Sequence, residues 1–566
     1  MFAESNKKKI VFNTIIGIAV LVWSFYFIDR GFYMDESGLL ALYRTTFLGK
    51  KLFVENWDTL QMGGILVYPL FALYYGVLAP IIAPLGCGVV LFMRISYQII
   101  RLMIAIYLYA CIKRTKYRDS AFLTALVYYA FIISFKNFSY KSLCDFGLIL
   151  FICWAYRFFE TENKIYIVLM GVATCIAILA YPTMILMPIL FVVVLAIMTY
   201  KGYDLLKPII VYIFTCFVCG ALTLIYLQFT SGLVDAFSSM TYLSDSSHTG
   251  NPSMRLVKML ISYFAFACIA YLPIIIMHVV NKVSYVSESF FNTILSLYWI
   301  IFMVAIFAIK PESISLSRLI YGFLIIFMWF PYLVYKRESN EYTRIGQYGQ
   351  PGYDGKQKLG IIFFVSVCAQ LVWALSTNQD IAIPGFMTIY VILAIVMITG
   401  ERLEGMKLLR FAVVGFTLFF MGIWVAEGEG GYSTIFEKRT YVTYGAYQGI
   451  ALSDEDYYMN ESCYTLLTKY VSAEDKLFVS MGHGSSAYLN SDAKMAAGTS
   501  YARAGKGQTR VLAYWEAHPE QLPDYILIDT ANKYYEEFEA GETYQYILEN
   551  YPTTVAEEGS FILLSK

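Results

Sequence analysis

Two adjacent carboxylates, Asp35 and Glu36, follow the first long apolar run of the chain. A carboxylate at the boundary of a low-dielectric region is suited to act as a general base near neutral pH. Acidic side chains also favour the first turn of a helix, where they cap it and interact well with the helix dipole. The pair is therefore interpreted either as catalytic or as a helix start, and spacing alone does not separate these two interpretations.

A third carboxylate, Asp145, lies at the start of a later apolar run, residues 143–159. An ionisable group at a membrane boundary is energetically costly and is often functional. We expect Asp145 on the same membrane face as Asp35, and we expect both to face a cavity open to that side. A helix-start carboxylate without a catalytic role is the alternative interpretation.

Basic residues beside these carboxylates have the spacing of anion ligands. Arg94, Gln98 and Arg101 are four and three residues apart, so they share one face of a helix. Such a stripe indicates either an anion site or an internal ion pair. Arg255 and Lys258 begin a later apolar run and are either a phosphate-binding pair or interfacial anchors.

The elements that must position these residues are long apolar runs. Hydrophobic residues make up 58% of the chain and charged residues only 15%, against about 25% charged in a typical soluble protein. Mean hydropathy is +0.57. A hydrocarbon core of ~30 Å is crossed by about 17 to 25 apolar residues. We predict thirteen transmembrane helices at residues 10–28, 88–112, 119–135, 143–159, 165–181, 183–200, 208–229, 255–280, 291–309, 315–335, 359–376, 382–399 and 407–425.

One further apolar run, residues 64–84, decides the topology because it contains three prolines. If it does not cross, most Lys and Arg of the short loops fall on the side of the N-terminus, as the positive-inside rule requires. We therefore predict a plasma-membrane protein with a cytoplasmic N-terminus and an extracytoplasmic C-terminus. The outer loop 29–84 then carries two juxtamembrane helices, an amphipathic stretch from Glu36 to Lys51 and the 64–84 run.

The last part of the chain, residues 426–566, has a different composition. Charged and turn residues return, and short strand-like runs alternate with helical patterns, which predicts a soluble α/β domain after a membrane domain of residues 1–425. Of ten cysteines only Cys463 falls in this part, so it cannot close an internal disulfide. The zero net charge gives no indication of nucleic-acid binding, and nucleotide-binding and zinc-hydrolase motifs are absent from the sequence.

This arrangement resembles the C-type membrane glycosyltransferases, the group of aminoarabinose transferases and protein mannosyltransferases. Asp35-Glu36 matches the acidic pair that opens the first outer loop in that family, and Asp145 matches its later outer aspartate. Arg94 is similar to the family's arginine at the outer start of the next crossing. The chain departs from the family at Gln61-Met62-Gly63-Gly64-Ile65, where a Lys-Pro-Pro-Leu-like element is common.

The resemblance implies a donor sugar carried on a polyprenyl phosphate and a glycan, lipid or protein acceptor in the cell envelope. It implies that Asp35 deprotonates the acceptor and that configuration inverts. Arg94 and Arg255 would hold the leaving phosphate, with Arg101 and Lys258 as further candidates. Glu36 or Asp145 would orient the acceptor, and the two aspartates are the candidate ligands of a divalent metal cation if one is used.

Other functions fit a chain of many apolar helices. A lipid-linked sugar flippase or transporter typically shows inverted repeats and helices broken by Gly or Pro at matched positions, and the sequence has no such repeat. A non-enzymatic envelope scaffold would use the C-terminal domain to bind a partner. A polymerase or ligase acting on a lipid-linked oligosaccharide is the nearest alternative within the same chemistry.

Overall fold

The computed structural model is mostly helical and describes residues 2–115, 117–200, 202–240, 242, 252–309, 316–342, 355–376, 380–399, 405–427, 437–480, 484–501 and 508–566. The first half contains α1 (Phe2–Tyr26), α2 (Met34–Phe47), α3 (Gly63–Leu73), α4 (Ala79–Ile82), α5 (Val89–Lys113), α6 (Ala121–Ala130), α7 (Tyr140–Thr161), α8 (Ile165–Ala180), α9 (Leu186–Tyr200), α10 (Leu206–Thr230) and α11 (Leu233–Ser239). Then come α12 (Pro252–Val283), α13 (Glu288–Ile309), α14 (Leu316–Tyr342), α15 (Gly355–Ser376), α16 (Ala382–Gly385), α17 (Ile389–Ile398) and α18 (Lys407–Glu427).

Within these described ranges, ten helices are long and apolar enough to cross a membrane, and one of them is the stretch Gly63–Ile82. Three shorter apolar helices are Ile10–Tyr26, Ile165–Ala180 and Ala382–Ile398. Their outward surfaces expose large apolar side chains, which suits contact with lipid. The predicted class, a polytopic helical membrane protein with a C-terminal sheet-containing part, is confirmed.

The predicted helix over 119–135 is shorter in the structure, where α6 ends at Ala130. Arg101 of α5 donates hydrogen bonds to the carbonyls of Tyr128 and Tyr129 at the end of α6. A cation at a helix C-terminus satisfies free carbonyls and interacts favourably with the helix dipole. From residue 131 the chain leaves the helix and forms a loop that reaches the start of α2, as described below.

The run 63–82 meets the length and composition of a span, and contacts to α2 and to the C-terminal part flank its two ends. At its start Gly63 and Gly64 lie against Tyr43 and Thr46 of α2. Just past its end, the backbone N–H groups of residues 88 and 90 donate to carbonyls of residues 448 and 446 at 2.8 and 3.1 Å. α2 itself packs on the C-terminal part. That the segment 64–84 lies along the membrane surface without crossing stays a prediction.

The C-terminal part is built on a five-stranded sheet. Its elements are β1 (Thr440–Tyr441), β2 (Ala451–Leu452), α19 (Asp454–Tyr470), β3 (Lys476–Ser480), α20 (Gly484–Asn490), β4 (Lys494–Met495), α21 (Gln508–Ala517), β5 (Tyr525–Asp529), α22 (Tyr535–Glu539), α23 (Glu542–Asn550), β6 (Thr553–Glu558) and β7 (Phe561–Ser565). The strand order is β4-β3-β5-β7-β6, with β3 parallel to β4 and β5 and with β7 antiparallel to β5 and β6. The domain boundary at residue 426 stays a prediction.

The C-terminal part is joined directly to the end of α1. The N–H of Ala451 in β2 donates to the Asp29 carbonyl at 2.8 Å, and the N–H of Gly31 donates to the Ala451 carbonyl at 3.2 Å. Gly31 has a φ of +86°, a conformation that glycine adopts without steric cost. These bonds place the chain that precedes α2 against the C-terminal part.

Candidate active site

The acidic pair lies in the first turn of α2, where its two carboxylates point into different environments. Asp35 is exposed, whereas Glu36 is only 1% exposed. Consecutive residues of a helix are separated by about 100° around its axis, so one faces outward while its neighbour faces the protein. The structure is compatible with both interpretations of the pair, a helix start and a catalytic carboxylate. The pair opens α2, and Asp35 still presents its carboxylate to solvent.

Glu36 forms a buried ion pair with Arg94 of α5. Arg94 Nε donates to Glu36 Oε1 at 2.8 Å and Nη2 donates to Oε2 at 2.5 Å. Asn137 Nδ2 donates to Glu36 Oε1 at 2.7 Å. This bidentate geometry is the strong form of a carboxylate–guanidinium contact. Glu36 is thus held as a structural anion at the base of the turn.

The remaining N–H groups of Arg94 donate hydrogen bonds to the backbone between α1 and α2. Its Nη1 donates to the carbonyls of Ile28 and Arg30 at 3.1 and 3.0 Å, and Nη2 donates to the Gly31 carbonyl at 2.8 Å. With the two bonds to Glu36, all five N–H groups of this fully buried guanidinium are used within the protein. The predicted role as a donor-phosphate ligand is untested, but the geometry gives Arg94 a structural role.

Asp35 shares its surroundings with aromatic and basic residues of other elements. Its charge acts on Tyr140 and Lys141 at the start of α7. The Lys141 ammonium lies 5.7 Å from the Tyr140 ring centroid, and Tyr140 in turn stacks on Tyr181 with centroids 5.4 Å apart. We refer to Asp35, Tyr140, Lys141 and Tyr181 as the Asp35 cluster.

Asp145 lies deeper in the bundle and belongs to a different network. It is 1% exposed, and its Oδ1 and Oδ2 accept hydrogen bonds from the hydroxyls of Tyr390 and Tyr128 at 2.8 and 3.2 Å. Arg101 acts electrostatically on this carboxylate while it donates to the Tyr97 hydroxyl at 2.8 Å and to the end of α6. The described partners of Asp145 thus differ from those of Asp35, and a cavity shared by the two aspartates stays a prediction.

The two candidate cations of α12 differ in burial. Arg255 is largely buried and acts electrostatically on Tyr181, which places its charge next to the Asp35 cluster. Lys258, one helical turn further on, is exposed. The two residues of the predicted pair therefore differ in exposure, and their phosphate-binding role stays a prediction.

A metal ion has no ready-made set of ligands in the described part of the chain. There, no group of three or more His, Cys, Asp or Glu side chains lies close enough to hold one. Both oxygens of Asp145 already accept tyrosine hydroxyls. The pairing of Asp35 and Asp145 on one cation stays a prediction.

The loop between α6 and α7 brings in a buried lysine that the sequence analysis did not single out. Lys136 Nζ donates to the carbonyls of Phe27 and Arg30 at 2.6 and 3.3 Å. Burial and the charge of Arg94 hold its pKa well below the usual value of 10.5. Lys136 thus reinforces the same turn between α1 and α2 that Arg94 binds.

Tyr501 of the C-terminal part is a second residue that sequence reasoning missed. Its hydroxyl donates to the Asp35 backbone carbonyl at 2.7 Å. The two residues are 466 positions apart, and no local pattern marks a tyrosine for such a contact. Only the fold brings it to the start of α2.

A groove of about 640 Å³ lies where the end of α1 meets residues 84–95 and the turn 441–449. Its lining combines apolar side chains of α1 and α5 with Asp29 and Gln448. None of the predicted site residues lines it. None of the four residues of the Asp35 cluster lines this groove either.

These features define a multi-pass membrane protein whose polar cluster lies beside its C-terminal sheet. The chain is similar to the crystal structure of ArnT from Cupriavidus metallidurans in the apo state, with 13% identity, a TM-score of 0.46 and coverage of 99% of this chain and 98% of that chain. It is also similar to ArnT from the same organism bound to undecaprenyl phosphate, with 13% identity, a TM-score of 0.44 and coverage of 98% and 97%. No protein-family model matches the sequence, and no curated protein matches it.

Proposed function

We propose that the protein is a membrane glycosyltransferase that moves a sugar from a polyprenyl-phosphate donor to a cell-envelope acceptor, with Asp35 as general base. The observation that carries this proposal is the division of the acidic pair. Glu36 is neutralised by Arg94 and buried, whereas Asp35 is exposed in the same rigid turn next to Lys141. A carboxylate held this firmly and left accessible is suited to take a proton from a bound hydroxyl.

The reaction follows from that position. The acceptor hydroxyl attacks the anomeric carbon of the donor sugar while its proton passes to the Asp35 carboxylate. The bond between the anomeric carbon and the phosphate oxygen breaks, polyprenyl phosphate leaves, and configuration inverts. General-base assistance of this kind contributes about 10²–10⁴-fold in rate.

The leaving phosphate requires a cation near the Asp35 cluster. Arg255 and Lys141 supply charge there, because Arg255 acts on Tyr181 and Lys141 interacts with Asp35. Charge placed where a leaving group develops its negative charge is usually the largest electrostatic contribution to catalysis. Arg94 and Arg101 are assigned to structure instead, because their donors are directed at backbone carbonyls and protein side chains.

The position of the cluster supports this chemistry over transport. A transporter places its polar residues near the middle of the bilayer, between repeats. The Asp35 cluster lies at the end of the bundle that contacts the C-terminal part, since Tyr501 bonds to Asp35. An envelope acceptor would meet the donor at this end.

The test uses purified protein in lipid nanodiscs with a panel of polyprenyl-phosphate sugars. We expect sugar transfer or donor hydrolysis with one of them, and we expect Asp35→Asn to lower it at least 100-fold while insertion and folding stay intact. Asp454→Asn is a matched control, because Asp454 is also an exposed aspartate in the first turn of a helix. Wild-type transfer by Asp35→Asn, or no reaction with any donor, would refute the proposal.

A further inference from the structure

A strip of the C-terminal part, residues 488–501, lies along α2 and the loop that follows it. Arg44 of α2 donates to backbone carbonyls of this strip at 2.8 and 2.9 Å and forms an ion pair with Asp492 at 2.7 Å. Lys50 donates to two more carbonyls further along the strip. We refer to residues 488–501 as the docking strip.

The end of the docking strip approaches the first turn of α2 residue by residue. The backbone N–H of Trp57 donates to the Gly498 carbonyl at 2.6 Å. The Thr499 hydroxyl donates to Asp58 Oδ2 at 2.9 Å. The next residue, Ser500, donates to the carbonyl of Gly38 in α2 at 2.7 Å. The strip therefore ends directly beside Asp35.

Tyr501, the last residue of the docking strip, packs so closely on α2 that only glycine fits at the point of contact. Its ring lies over Gly38, and a Cβ added to Gly38 would overlap the ring. Burial and the charge of Asp35 raise the pKa of Tyr501 well above its usual value of 10.0, so its hydroxyl stays protonated. The protonated hydroxyl donates to the Asp35 carbonyl.

The first turn of α2 is held from three directions. Arg94 holds Glu36, the Tyr447 hydroxyl bonds to Ser37, and Tyr501 bonds to Asp35. Two of these three contacts come from the C-terminal part of the chain. Tyr33, the residue that precedes this helix, provides no side-chain cap to it.

We infer that Tyr501 is a positioning residue for Asp35 and that the C-terminal docking strip forms one wall of the site. This inference rests on the proposed function. The C-terminal domain then acts as a part of the transferase site rather than as a separate binding module. The position of Asp35 matters for the rate, because misplacing a catalytic group by about 1 Å can cost about 10²-fold.

Two variants test the positioning role. Tyr501→Phe removes only the hydroxyl, and we expect kcat to fall about 3- to 10-fold, the loss of one ordinary hydrogen bond. Gly38→Ala pushes the ring away from Asp35, and we expect a fall of up to about 100-fold. Gly76→Ala is the matched control, because a Cβ at Gly76 meets nothing within 4 Å.

The kinetic pattern separates positioning from a general loss of structure. If Tyr501 positions Asp35, Tyr501→Phe should lower kcat. The KM for the polyprenyl-phosphate sugar and the thermal unfolding midpoint of this variant should stay near wild type. If Gly38→Ala does not fold, Tyr501→Phe still decides the question. A wild-type kcat in Tyr501→Phe would overturn the inference. A fall in kcat that is accompanied by a lower thermal unfolding midpoint would overturn it as well.

A disulfide tests the docking by a structural readout, the cross-link itself, in addition to activity. A Cβ at Gly498 would lie 3.0 Å from the Trp57 Cβ, slightly closer than the 3.5–4.5 Å of a disulfide. We expect Trp57→Cys/Gly498→Cys to cross-link on oxidation, seen as protection from a maleimide and a mobility shift reversed by dithiothreitol. The oxidised protein should retain the transfer rate of its own reduced form.

The outcomes are distinguishable. Absence of the cross-link, or loss of transfer on oxidation with recovery on reduction, contradicts a docked strip in the active protein. A wild-type protein that is inactive with every donor refutes the proposed function and with it the role of Tyr501, whatever the cross-link shows.

Discussion

At the scale of residues, the pairing of charges separates structure from chemistry in the first turn of α2. Glu36 and Arg94 are both buried and satisfy one another together with Asn137 and the backbone. Burying two charges is costly, and the cost is offset only when the geometry is good and the remaining donors are bonded, as they are here. Asp35, one residue earlier, keeps its carboxylate exposed.

This contrast gives a prediction for two neighbouring neutral substitutions. Glu36→Gln leaves the buried Arg94 guanidinium without its counter-charge and should destabilise the fold by about 3–5 kcal/mol. Asp35→Asn changes an exposed side chain and should alter stability by no more than about 0.5 kcal/mol. Thermal and denaturant unfolding of the two purified variants in the same detergent measures this difference, and equal stabilities would contradict the structural role of the ion pair.

At the scale of elements, the segment 63–82 decides how the chain is threaded. Its composition suits a span, but it begins against α2 and the chain after it begins α5 beside residues 446–448. Pro69 lies within α3, and a π-helical turn at residues 74–78 separates α3 from α4. A proline and a π-helical turn both interrupt the regular hydrogen-bond ladder, so we expect this segment to be bent.

Cysteine labelling in intact cells tests this arrangement. Leu48→Cys and Leu85→Cys lie before and after the segment, and both positions are exposed. Both should react with a membrane-impermeant maleimide from the same side, whereas Tyr285→Cys in the loop after α12 should react only from the opposite side. The native Cys268 is exposed and must first be replaced. Reaction of the first two variants from opposite sides would mean that the segment crosses.

At the scale of the whole molecule, the docking strip unites the membrane bundle and the C-terminal sheet. Lys50 is central to it, since its Nζ bonds to two strip carbonyls and lies 5.4 Å from the Tyr514 ring centroid. Burial lowers the pKa of Lys50 from 10.5 to about 7, and the charge of Glu55 partly opposes this shift. The protonation of Lys50 is therefore linked to the packing of the docking strip on the membrane bundle.

The linkage predicts a pH dependence with a definite sign. Between pH 7 and 10.5 the unfolded chain binds more protons at Lys50 than the folded chain, so its contribution to stability rises with pH across this window. The difference in unfolding midpoint between wild type and Lys50→Met should grow in favour of wild type from pH 7 to pH 10. Lys51→Met is the control, because Lys51 is exposed. A difference that is flat or falls with pH would contradict the linkage.

The sequence by itself determined the class of this protein. Apolar run length is a local property, so most of the long apolar helices were predictable without long-range information. The same holds for the alternation of strands and helices in the C-terminal part and for the position of Asp35-Glu36 at a helix start. Only the tertiary structure decided what each polar residue does. It directed Arg94 to Glu36 and backbone carbonyls, put Asp145 in a separate tyrosine network, and brought Tyr501 to Asp35. Contacts between residues tens to hundreds of positions apart depend on how whole helices and the sheet pack, and no local spacing encodes that packing.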